Sequence, residues 1–226
     1  MFLIPRHLIA LSIIAVLLAA GACKPKPSTP AAATSSPSPV NNAGASRTAD
    51  EVALLDASIK GDSAAVRALL DKGVNPNSKD NDGRTPLTEA AYYGHTEIVK
   101  MLIGKGADMW AKKRDGETPV TMAAGHKDIV ELLRKNFELI EAARLGDNKG
   151  VQALLDQGAY VNSRDSDGRT ALTESTWEGH ADTVKLLLEK GADPNLRKND
   201  GLAPLVIAVG KGNKEIEELL RKAGAK

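Results

Sequence analysis

The sequence predicts an all-α fold: about six stacked helix–turn–helix units behind a disordered N-terminal tether. Three observations point there. Glycines recur 33 residues apart, as in Gly61/Gly94, Gly73/Gly106 and Gly83/Gly116, and these six return 85 residues later as Gly146, Gly179, Gly158, Gly191, Gly168 and Gly201. Apolar residues between them fall at helical intervals, alternately as a thin and a thick stripe. Charge is also divided along the chain. The net charge is +1, yet all 29 acids lie at or beyond Asp50, and the first 49 residues carry only Arg6, Lys24, Lys26 and Arg47.

Residues 1–22 read as a secretory signal. Arg6 and His7 precede the apolar run Leu8 to Ala20, which is short for crossing about 30 Å of hydrocarbon. Ala20-Gly21-Ala22 then places small residues before Cys23. Two outcomes stay open. Ordinary signal peptidase would leave Cys23 as a free thiol. Alternatively, the stretch resembles a bacterial lipobox, in which the Cys is lipidated and becomes the first mature residue; Ala20 departs from the usual Leu. The single Cys of the chain sits at the signal's end, which favours the lipid. With Lys24 rather than Asp next, the resemblance implies an outer-membrane anchor facing the periplasm in a Gram-negative cell. A soluble periplasmic or secreted protein is the alternative. Residues 23–49 hold five of the eleven prolines among Ser, Thr and Ala, too few apolar groups to offset chain ordering, and so form a disordered spacer.

The array occupies 50–226, with units near 50–82, 83–115, 116–136, 137–167, 168–200 and 201–226. The second unit shows the physics. Thr85 offers a hydroxyl to cap a helix whose first residue is Pro86. Leu87, Ala90 and Ala91 form its thin apolar face, and Gly94 ends it. Ile98, Val99, Leu102 and Ile103 form the thicker stripe of a second helix, closed by Lys105-Gly106. Neither face can be buried by one unit alone, so the units must stack.

Thr85-Pro86-Leu87, Thr118-Pro119-Val120, Thr170-Ala171-Leu172, the Gly-His pairs at 94–95, 125–126 and 179–180, and Gly106-Ala107-Asp108 resemble the ankyrin repeat family. The resemblance covers about residues 50–226. It implies a curved solenoid of helix pairs with hairpin fingers along one edge, and a protein-binding concave side. Departures refine it. The His usual after Thr-Pro-Leu is Thr88, Thr121, Thr173 or Val206. The third unit lacks a Gly-Ala-Asp finger, so four fingers are expected (73–83, 106–116, 158–168, 191–201), with a gap or bend between the halves. The last unit carries Glu215, Glu217, Glu218, Arg221 and Lys222, as a polar cap requires.

Little in the sequence suggests catalysis. His95, His126 and His180 each follow a helix-ending Gly, as structural turn residues do, and are too far apart in sequence for a helical zinc site. No nucleophile elbow appears. Gly104-Lys105-Gly106 and Gly210-Lys211-Gly212 lack phosphate-loop spacing and read as helix ends. No enzyme activity, metal, cofactor or small-molecule substrate is expected. A near-neutral chain that is exported is not expected to bind nucleic acid.

What remains is a surface. Lys79, Lys112, Arg164 and Arg197 recur once per finger, Arg84 and Arg169 form a second equivalent pair, and Arg114 lies near a tip. Tyr92, Tyr93, Trp177 and Glu178 end two short helices, and Trp110 stands where sister units have Asn77, Asn162 and Asn195. In a chain only 3% aromatic, most rings thus fall where the family binds partners, and aromatics and Arg dominate interface energies. The expectation is a protein-binding module of the bacterial envelope whose partner carries an acidic patch. An inhibitor or immunity protein neutralising a toxin or periplasmic enzyme is the alternative.

Overall fold

The computed structural model describes residues 47–226; the signal, Cys23 and nearly all of the expected linker lie outside the described residues. Eleven helices and no strands are present among those described. They are α1 (Ala49–Lys60), α2 (Ser63–Asp71), α3 (Pro86–Tyr92), α4 (Thr96–Gly104), α5 (Pro119–Met122), α6 (Lys127–Leu145), α7 (Asn148–Asp156), α8 (Ala171–Glu178), α9 (Ala181–Glu189), α10 (Pro204–Lys211) and α11 (Lys214–Lys222). In the inner layer α1 packs on α3 and α3 on α5, and further along α6 packs on α8 and α8 on α10. The other layer runs through α2, α4 and α6, then α7, α9 and α11.

Local chemistry sets the helix starts. Thr85 accepts from the Thr88 N–H at 3.2 Å, while the Thr88 hydroxyl accepts from the Thr85 N–H at 2.8 Å. Thr118/Thr121 and Thr170/Thr173 repeat this box. Thr in the family's His position therefore supplies a local cap, stabilising by about 1 kcal/mol. Histidine works at the other joint. His95, His126 and His180 donate from Nε2 to the carbonyls of Ile59 (3.1 Å), Tyr92 (3.2 Å) and Arg144 (3.0 Å), each in the preceding unit. A carbonyl can only accept, which fixes the proton on Nε2. Gly61 shows why glycine precedes this joint: its φ is +76°, and a Cβ would stand 2.7 Å from the His95 ring.

Where a gap or bend between the halves is expected, the helical layer runs on without a break. Lys127–Leu145 forms one continuous helix of 19 residues, because no Gly or Pro interrupts it. Units three and four share α6 without a turn. Two apolar cores meet on it: Leu133 and Ile140 join the first, Leu139 and Ala143 the second. Asn136 is wholly buried at the changeover. Its amide donates to the Leu132 carbonyl at 2.8 Å, and its oxygen accepts the Tyr160 N–H at 2.7 Å.

Candidate functional site

Four turn-built fingers project between the helix pairs, each opened and closed by a Gly with positive φ (Gly73/Gly83 through Gly191/Gly201). Asparagines clamp them. Asn77 donates to the Gly106 carbonyl at 3.1 Å and accepts from the Asp108 N–H at 2.7 Å. Asn162 engages Gly191 and Asp193 likewise, and Asn195 engages Gly224 and Lys226. Fingers one and two are joined by the Arg114 N–H donating to the Asp82 carbonyl (2.9 Å). Fingers three and four are joined by the Asn199 N–H and the Asp167 carbonyl (2.9 Å).

The bases expected to form an open row divide into two groups. Arg84 and Arg169 are engaged internally. Arg84 Nε meets Asp80 at 2.6 Å; Arg169 meets Asp165 at 2.7 Å, Asp167 at 3.0 Å and Glu174 at 3.8 Å. Burial would lower the Arg169 pKa, but the pull of Asp165, Glu174 and Asp167 outweighs it and holds it above its ordinary value. These arginines brace the fingers, with 40% of the Arg84 side chain and 26% of the Arg169 side chain still exposed. The finger-two counterpart reverses the signs, with Lys113 held by Glu117 (2.7 Å) and Asp115 (3.1 Å). Arg164 is half-buried and its guanidinium donates to the Arg197 carbonyl. Arg197 is exposed, with one N–H on the Gly201 carbonyl at 3.1 Å. Lys79, Lys112 and Arg114 are exposed and form no ion pair among the described residues.

The aromatics also divide. Tyr92 and Tyr93 are 46% and 48% exposed at the end of α3, their rings edge-to-face at 4.9 Å. Trp177 is 40% exposed at the equivalent end of α8, with Lys211 Nζ 4.0 Å from its ring centre and Lys198 at 5.6 Å. Glu178 is exposed beside it. Trp110 is different. It is half-buried and meets Phe137 edge-to-face at 5.4 Å. An Asn here would have no next finger to clamp, since unit three has none, and the indole fills that space against α6.

This architecture and its match along the chain decide the family. The sequence model described as "Ankyrin repeats (3 copies)" matches residues 52–138 and again 139–226, dividing within α6. The chain belongs to the ankyrin repeat family. A stretch of 47 residues, 21% of the chain, is 47% identical to "Integrin-linked protein kinase 1" of Arabidopsis thaliana; it spans 10% of that protein's length. Ankyrin repeats are protein-interaction modules, and this array is one.

Sequence reasoning missed the residues around Trp110. Phe137, Ile140, Glu141, Asp165 and Glu174 join Lys79, Asp108, Trp110 and Lys112 around a cleft of about 510 Å³ between fingers two and three. Burial pushes the Asp108 carboxyl up, against the Trp110 N–H it accepts at 2.8 Å and the nearby Lys79. The missing finger was the available signal. What the gap exposes depends on α6, which the period alone does not place.

Proposed function

We propose that the ankyrin array is a non-catalytic recognition module of the bacterial envelope, held by a lipid on Cys23 and a Pro-rich spacer at the periplasmic face of the outer membrane. It captures a protein bearing an acidic patch. One observation carries the recognition surface: Tyr92, Tyr93 and Trp177 stay exposed at equivalent ends of α3 and α8, in a chain with seven aromatic residues. Rings held on rigid helices lose little entropy on binding and supply large contact area. Lys198 is held by Asp200 at 2.8 Å, but Lys211 beside Trp177, and Lys79, Lys112 and Arg114 on the fingers, form no ion pair among the described residues, and these cations favour an acidic partner. The envelope setting rests on the signal-like start and the single Cys at its end.

Crosslinking in intact cells, followed by identification of what attaches, tests the module. Tyr92→Ala with Trp177→Ala is expected to weaken capture of that partner by about tenfold or more, with helical content unchanged. Undiminished capture would remove this surface from the reading. Radiolabelled palmitate should enter the wild type and not Cys23→Ser; equal labelling would remove the anchor.

A further inference from the structure

The cleft between fingers two and three carries a more specific reading. Wherever two neighbouring fingers meet within a half, their tips share a backbone hydrogen bond, Arg114 to Asp82 and Asn199 to Asp167. The equivalent pair across the junction is the Ser166 N–H and the Asp115 carbonyl, and they share none; contact is made lower down, at an isolated Asp108–Arg164 bridge. Ser166 lines the cleft and its N–H has no backbone acceptor among the described residues. The floor is apolar: Trp110, Phe137, Ile140 and Ala111.

Charge around the cleft is unevenly satisfied. Asp165 and Glu174 are engaged by Arg169, and Glu141 is held by Arg144 at 2.8 Å. Asp108 accepts the Trp110 N–H. Lys79 lies near Asp108, and neither Lys79 nor Lys112 forms an ion pair among the described residues. An occupant therefore finds an apolar floor, unpaired cations beside it and a free backbone donor.

We propose that this cleft seats an extended segment of a partner protein, in which an aromatic or large aliphatic side chain is flanked by carboxylates. The apolar side chain packs on Trp110 and Phe137, the carboxylates pair with Lys79 and Lys112, and a segment carbonyl accepts from the Ser166 N–H. The missing finger thus becomes a receptor for a foreign segment. This rests on the array's being a protein-binding module and deepens it to a peptide chemistry.

Trp110 and Trp177 are the only tryptophans, so the full-length chain with Trp177→Phe reports the cleft by Trp110 fluorescence. The probe is an acetylated, amidated pentapeptide of Phe flanked by two Asp on each side. Controls replace its Asp by Lys, or its Phe by Ala. A saturable Trp110 response to the Asp–Phe peptide is expected, lost with both controls. It should weaken about tenfold when Lys79→Glu and Lys112→Glu are combined; both side chains are exposed, so the fold should survive, as circular dichroism will check. No response, equal responses to the controls, or indifference to the charge reversals would overturn the proposal. So would sedimentation showing a dimer that Trp110→Asn dissociates, since the cleft would then seat a second copy. The peptide assay is independent of Tyr92 and Trp177, so its failure leaves cellular capture through those rings untouched.

Discussion

The ordinary joints and the central joint hold the same kinds of units together by different means. At an ordinary joint a helix ends at a glycine, a histidine from the next unit donates into the helix end, and an asparagine clamps the next finger. At the centre helix α6 passes straight through, the clamping position holds Trp110, and Asn136 does the clamping from within the helix. Ordinary joints distribute cohesion over many half-exposed polar contacts. The central one concentrates it in a covalently continuous helix, leaving the finger edge open. One design favours regular stacking; the other trades an edge contact for a cleft.

The most disruptive way to break this comparison is to break α6. Glu138→Pro removes an internal helix hydrogen bond and clashes with the preceding turn, costing about 3 kcal/mol or more. Because Leu133 and Ile140 belong to one core and Leu139 and Ala143 to the other, the loss should fall on the coupling between halves. Thermal unfolding is expected to change from one transition to two, as nearest-neighbour arrays do when an interface is lost. Glu138→Ala removes only a surface pair with Arg134 and should cost less than about 1 kcal/mol. A single, unshifted transition in the proline variant would show that the cores are coupled elsewhere.

A smaller effect compares clamp with clamp. Asn136→Ala strands the Tyr160 N–H, and Asn136 is wholly buried, so a loss of about 1–3 kcal/mol is expected in urea unfolding. Asn162→Ala at an ordinary, more exposed clamp should cost about 0.5–1 kcal/mol. Equal losses would mean that the central clamp has no special weight.

Much of this was legible in the sequence, because glycine spacing, threonine caps and paired apolar stripes are local and repeat. The terminal helix was also readable: Glu215 and Glu217 lie in its first turn and Arg221 and Lys222 in its last, as the helix dipole favours. The shared helix was readable in principle, since residues 127–145 contain no breaker, but the expectation of a repeat implied a pause there. The engagement of Arg84 and Arg169 escaped because their aspartates lie within the same turns, where periodicity aligns bases without showing their partners. Trp110 was singled out correctly as odd, but its ring faces Phe137, which only the path of α6 brings near.

The smallest effect separates the halves by a buried carboxyl. Glu89 and Glu174 are equivalent and almost wholly buried. Glu174 has Arg169 Nε at 3.8 Å, whereas one Glu89 carboxyl oxygen is buried without a hydrogen-bond partner among the described residues. Burial raises the Glu89 pKa, and the attraction of Arg84 and Lys113 does not offset it. The folded state therefore keeps this proton to higher pH than the unfolded chain does. The resulting stability is complete below the ordinary carboxylate range and is lost as pH rises through the raised value. Glu89→Gln removes the penalty of ionising in place, so its melting temperature at pH 7 should exceed wild type by about 1–3 °C, the gain shrinking toward pH 4. Glu174→Gln, which surrenders an arginine contact, should show no such gain. A lower melting temperature for Glu89→Gln at pH 7 would mean that attraction to Arg84 outweighs burial, and that the two halves use their buried glutamates alike.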